Sequence, residues 1–144
     1  MQKPNSLRAA LTAAAPDLAT DPDKLLVFAD DGAAIAIPGK SLSFEYSYTL
    51  QVILLDFAGD PNLIFAAVME WVKVNQRNLI ENRDKHKDGI TFEVDLLNHT
   101  TADLSIKLKV TEAVVANRDD SGQLVAEAKP EPRPEWEYSG LVAE

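Results

Sequence analysis

One stretch constrains this chain more than any other. In SFEYSYTLQVILLDF, residues 43–57, Phe44, Tyr46, Tyr48, Leu50, Val52 and Leu54 recur at every second position, with Glu45, Ser47, Thr49 and Gln51 between them. Successive side chains of a strand point to opposite faces, so this period of two defines an apolar and a polar side. A helix would scatter the same residues around its circumference. Ile53 and Leu55 break the polar side, which predicts that the far end of the strand is covered on both faces. A strand of this length is expected to bend or to carry a bulge, and its polar half to project beyond the core.

The same period returns later. Ile90, Phe92, Val94 and Leu96 alternate with Thr91, Glu93 and Asp95, and Leu104, Ile106, Leu108 and Val110 with Ser105, Lys107, Lys109 and Thr111. The intervening NHTT can reverse the chain, so the two runs predict a hairpin with one buried and one wet face. Antiparallel pairing would bring Glu93 or Asp95 near Lys107 or Lys109. Residues 112–117 continue the second strand or begin another, and residues 123–128 add a short edge strand after the turn at Ser121 and Gly122. Earlier, LLVFADDGAAIAI at residues 25–37 reads as a hairpin turned at Asp31 and Gly32, although its Ala-rich second arm is weak in β propensity.

Helical spacing appears twice. Pro4 suits a first turn, Leu7, Leu11 and Ala14 share one face, and Pro16 stops the segment. A helix this short is marginal alone and must dock on something larger. Asp60 can cap a longer helix with Pro61 in its first position, and Ile64, Val68, Trp71, Val72, Asn75 and Leu79 supply its stripe. Leu63, Phe65 and Met69 widen that stripe, which means deep burial, the favoured reading, or a second contact surface on a neighbouring subunit. ENRDKHKDG, residues 81–89, reads as a solvated loop. The order predicts an α+β fold: a mostly antiparallel sheet covered by an N-terminal helix and a longer central helix.

Length and charge bound the rest. With 144 residues and 46 % hydrophobic content there is material for one core. We read residues 1–128 as one α+β domain and residues 129–144 as a flexible or partner-docked, extended C-terminal tail. In that tail Pro130, Pro132 and Pro134 remove backbone donors at alternate positions. Trp136, Tyr138 and Leu141 are apolar anchors for either the parent domain or another subunit. A formal net charge of -9 repels nucleic acid and anionic membrane, so neither is expected as a partner. The absence of cysteine excludes disulfides and thiolate chemistry. The N-terminal residues lack the pattern of a signal peptide, and no run approaches 18 apolar residues, so residence in the cytoplasm is the expectation.

Catalysis finds little support. His86 and His99 fall in a charged loop and a turn, where surface histidines are ordinary. Asp56 and Asp60 could serve acid–base chemistry or Mg²⁺, but turn and helix capping explains them more simply. Asp30 and Asp31 do not begin a calcium-binding loop, and no phosphate-binding or nucleophile-elbow motif is present. No catalytic, cofactor-binding or metal residue is therefore assigned.

The blocks KPNSLRAALT, SLSFEYSYTLQVILLDFAGD, MEWVKVNQ and GITFEVDLLNHTTADLSIKLKVTE, in order from Lys3 to about Glu112, together resemble the tail completion protein R family of P2-like contractile-tailed phages. The resemblance implies a nonenzymatic structural protein acting late in tail morphogenesis at the head-proximal end of the tail tube. A terminator-like role, a ring of like copies, and contacts with tube protein and head–tail junction or other completion proteins would follow. It also implies assembly in the bacterial host cytoplasm and a place in the virion tail, of an active phage or a prophage. Exposed strand edges, or the half-polar strand at Glu45, Ser47, Thr49 and Gln51, could pair between subunits, with Trp136, Tyr138 and Leu141 reaching a neighbour. Two other readings compete: a transient chaperone or adaptor, and, more distantly, a metal-dependent hydrolase using Asp56, Asp60 and a histidine.

Overall fold

A computed structural model describes residues 1–39, 41–98 and 100–130. The strand set by alternation is its centre: β2 (Phe44–Phe57) pairs antiparallel with β1 (Leu25–Ala36) on one side. On the other it pairs with the long β4 (Ala102–Arg118). The remaining edge of β4 is shared by β3 (Ile90–Leu96), opposite residues 102–108, and β5 (Leu124–Ala128), opposite residues 114–118. The path is β1-β2-β4-β3, with β5 beside the other half of β4.

α1 (Lys3–Ala14) and α3 (Pro61–Asn75) cover one face of this sheet, with the single-turn helices α2 (Asp17–Thr20) and α4 (Asn78–Glu81) at the flanks. The expected apolar row forms the core: Leu50, Val52 and Leu54 of β2 and Leu104, Ile106 and Leu108 of β4 meet Leu7, Leu11, Ile64, Val68 and Val72. Removing each such aliphatic side chain from water contributes roughly 1.5–3 kcal/mol. α3 starts as its sequence requires, with Asp60 Oδ1 accepting the Asn62 N–H at 2.9 Å and Pro61 in the first turn. It ends at Asn75, short of Leu79. Gln76 leaves the helix to serve the edge of β4, where its Oε1 accepts the Thr111 N–H at 3.1 Å between β3 and β5. Leu79 still reaches the core, from α4.

Several expectations need correction. Residues 25–37 are not a hairpin. β1 is continuous, and Asp31 and Gly32 lie together opposite Tyr48, forming a bulge between the pairs Asp30↔Thr49 and Ala33↔Ser47. Asp31 takes φ 50°, so the turn-forming pair supplies a left-handed residue without reversing the chain. Reversal at Asp31 would leave half of this edge of β2 unpaired, whereas a bulge preserves the ladder on both sides of it.

The far end of β2 is not covered on both faces: Leu55 is 39 % exposed, since the core lies wholly on the helix side. A register shift does occur there, between Leu54 and Phe57, with Asp56 at φ 52°. The β3–β4 hairpin forms, but the apolar row of β3 is not buried. Val94 and Phe92 stand opposite Leu104 and Ile106 on the helix side, yet Phe92 is 58 % and Leu96 76 % exposed, because the helical layer stops short of the sheet edge. One contact bridges the gap, an edge-on pairing of Phe92 with Phe65 of α3 at 5.0 Å. Glu93 stands opposite Ser105 with Lys107 diagonal to it in the same surface cleft, as expected, and Asp95 stands opposite Asp103; neither acid forms an ion pair among the described residues, and Lys109 reaches Asp88 at 3.1 Å. Deep burial of the widened α3 stripe is likewise not realised, with Leu63 50 % and Met69 42 % exposed.

Candidate functional site

The side chains that could have made a catalytic centre are occupied or dispersed. Asp60 caps α3, Asp56 lies 3.9 Å from Lys24, and His86 Nε2 lies 2.6 Å from the Ile80 carbonyl oxygen. His99 is outside the described residues. Among the described residues no group of three or more His, Asp or Glu could hold a metal ion.

A polar knot beneath α1 is a feature that local sequence did not announce. Glu112 sits on the core side of β4, where its Oε1 accepts the Gln2 N–H at 2.7 Å and the Lys3 N–H at 3.3 Å. A carboxylate there satisfies helix-start donors that no side chain of α1 caps, and it meets the positive end of the helix. The Tyr48 hydroxyl donates to Glu112 Oε2 at 2.5 Å. Burial first, and then that bond and the carboxylate's charge, push the Tyr48 hydroxyl far above its ordinary range, so it remains a donor. Lys3 Nζ donates to Gln76 Oε1 at 2.5 Å and to the Thr111 carbonyl at 2.6 Å, tying α1 to the stretch of β4 that lacks a strand neighbour on that edge. Every member has a partner, so the knot orients α1 on the sheet.

The surfaces open to a partner lie elsewhere. Glu45, Ser47, Thr49 and Gln51 point away from the core, beside Ile35, Ala33, Asp30 and Phe28 of β1. β2 is paired on both edges, so strand addition at these residues is not available, and a partner would meet side chains. Among the described residues three outer edges have no strand neighbour, that of β1 on one side of the sheet and those of β3 and the shorter β5 on the other. The β3 edge adds the exposed Phe92, Val94, Leu96 and Leu97. Periodicity marked these as apolar, but only the extent of the helical layer decides whether such a row is covered. Trp136, Tyr138 and Leu141 lie outside the described residues.

Comparison with known proteins agrees with the resemblance drawn from the sequence blocks. A family model described as P2 phage tail completion protein R (GpR) matches residues 1–132. Tail completion protein R of Escherichia phage P2 is 40 % identical over 135 residues, which cover 94 % of this chain and 87 % of the relative. No solved structure matches the chain.

Proposed function

The chain belongs to the P2 phage tail completion protein R family, and we propose that within phage tail assembly it is a nonenzymatic terminator at the head-proximal end of the tail tube. Membership carries the tail-assembly role and a structural place in the virion tail; the terminator step is our reading. A terminator must grip the last tube ring while offering a face that recruits no further ring. Its partners are other copies of itself, the tube protein, and head–tail junction or other completion proteins. It is made and assembled in the host cytoplasm, and it binds neither nucleic acid nor membrane, in keeping with a net charge of -9.

The observation that carries this reading is that unlike edges are free on the two sides of one sheet, β1 on one and, on the other, β3 with the shorter β5 beyond it along β4. Head-to-tail addition of one copy's β3 to the next copy's β1 is a heterologous contact, which closes into a ring when the rotation per copy divides a full turn. It would also cover Phe92, Val94 and Leu96, which have no reason to face water in a lone chain. In a ring, each modest contact is repeated and the whole gains avidity. Glu45, Ser47, Thr49 and Gln51 then remain as a polar face for tube or junction.

Electron microscopy of tails assembled without this protein tests the role. Overgrown or unfinished head-proximal ends are expected, and tubes of normal length with complete ends would overturn the terminator reading. Mass spectrometry of purified particles separates it from a chaperone that departs, since a terminator is retained in stoichiometric amount.

A further inference from the structure

The open edges of β1 and β3 match one another in backbone, face and direction. In an antiparallel ladder a residue turns its N–H and C=O to the same neighbour, and the next residue turns both the other way. The Lys109 N–H donates to the Gly89 carbonyl at 2.9 Å and the Leu97 N–H to the Thr101 carbonyl at 3.2 Å, so the odd-numbered residues of β3 serve β4. Ile90, Phe92, Val94 and Leu96 are left to turn their backbone groups to the open edge. On the far side, the Leu42 N–H donates to the Ala116 carbonyl at 3.1 Å, which gives the even-numbered residues of β2 to β4 and the odd-numbered ones to β1. Leu26, Phe28 and Asp30 take that pairing, and Leu25, Val27 and Ala29 turn outward. The Leu25 carbonyl, free of the ladder, is taken by Arg8 Nη1 at 3.0 Å, as that direction requires.

Side chains follow the same parity. Leu25, Val27 and Ala29 stand level with Leu54, Val52 and Leu50 on the helix side, and Phe92 and Val94 with Ile106 and Leu104. On both edges, then, the residues with outward backbone groups are the ones whose side chains face the helical layer. Pairing the edges through hydrogen bonds therefore sets helix side beside helix side, where the opposite parity on either edge would have set it beside the wet face. Direction agrees too. Each of the three strand pairs from β1 to β3 is antiparallel, so β1 of a second copy, entering with its sheet facing the same way, runs antiparallel to β3. The bulge ends the first arm of β1 at Asp30, and that arm suits the seven residues of β3.

We propose that Val94 and Phe92 of one copy pair with Val27 and Ala29 of the next, fusing the two sheets with all helices on one side. This register rests on the ring proposed above. It places Leu96 opposite Leu25, and small Ala29 leaves room for the Phe92 ring that leans on Phe65 at 5.0 Å. It also shifts the copies by two residues from the straight line Leu25, Leu54, Leu104, Val94, and closing a sheet on itself requires such a stagger. The second arm of β1, residues 33–36, then lies beside the gap where Gln76 holds Thr111, short of β5. A pairing this short buries far less than the roughly 800 Å² per partner of a stable interface, so two copies alone are held weakly and closure supplies the rest.

The chain has no cysteine, so introduced thiols report only on themselves. Residues directly opposite in such a pair lie about 5.5 Å apart at Cα, within the span of a disulfide. Full-length Val27→Cys and Val94→Cys proteins, mixed under a mild oxidant that traps transient contact, are expected to form a disulfide-linked dimer that neither forms alone. Val27→Cys mixed with Glu93→Cys, one residue out of register and on the wet face, should form none. Ala29→Cys with Phe92→Cys repeats the test should Val27→Cys fail to keep the parent's thermal melt. No disulfide from either matched pair would overturn the proposal, as would equal linkage to Glu93→Cys. Linkage of Val94→Cys to itself would also overturn it, because β3 would then face β3. Tails that overgrow without the protein while no matched pair links would end this register and leave the terminator role standing.

Discussion

Replacing Glu112 by alanine removes two things at once from beneath α1. The Gln2 and Lys3 N–H groups lose their acceptor, and the Tyr48 hydroxyl is stranded in the core, while Lys3 Nζ keeps Gln76 and Thr111. Loss of a helix-start acceptor costs about 1 kcal/mol. A buried hydroxyl left without a partner costs about 1–3 kcal/mol. With the charged character of these bonds included, Glu112→Ala should destabilise the chain by about 3–5 kcal/mol, a drop in Tm on the order of 10 °C for a domain of this size. A domain of this length has on the order of 10 kcal/mol in total, so the variant still folds at 25 °C. Urea denaturation of Glu112→Ala, Tyr48→Phe and the double variant isolates the pair. Tyr48→Phe alone should cost about 1 kcal/mol, whereas in the Glu112→Ala background it should cost nothing or stabilise, because it deletes the stranded donor. The reasoning is refuted if the two effects add, or if Glu112→Ala costs less than about 1 kcal/mol.

The same hydroxyl gives an alkaline signature. Tyr48 stays protonated in the folded chain well above the ordinary tyrosine range near pH 10, and in the unfolded chain it does not. Its contribution is therefore complete below about pH 10 and is lost as pH rises beyond it, at up to about 1.4 kcal/mol per pH unit; Tyr48→Phe should flatten the fall in stability measured between pH 9.5 and 11 by that amount. At the sheet edge, Leu96→Lys should change stability by no more than about 0.5 kcal/mol, since the side chain is 76 % exposed, while shifting sedimentation toward the monomer. Unchanged assembly in that variant would remove β3 from the proposed contact.

How far the fold was legible depended on the range over which its causes act. The alternation from Tyr46 to Leu54 named the core side of β2 without error, because strand geometry alone fixes it. Asp60 and Pro61 marked the start of α3 for the same local reason. Asp31 and Gly32 misled, since a left-handed residue suits a turn or a bulge equally, and the length of β2 chose between them. The period of Phe92 to Leu96 matches that of β4 and so predicts burial; its exposure follows from where the helices stop, which no local pattern encodes. Glu112 left a trace, an acid in step with Leu104, Ile106, Leu108 and Val110, but its partners at Gln2 and Lys3 lie more than a hundred positions away. The open outer surface of β2 followed from Glu45 to Gln51, whereas the commitment of both its edges did not.

The side-chain amide of Gln76 divides one margin of β4 into two stretches, with β3 zipped to one and β5 to the other and no backbone ladder joining them. Opening therefore need not spread from one stretch to the other. The last strand can peel away in a low-energy fluctuation while amide protons of β4 opposite β3 stay locked, so hydrogen exchange should sort the two halves of a single strand into separate cooperative units.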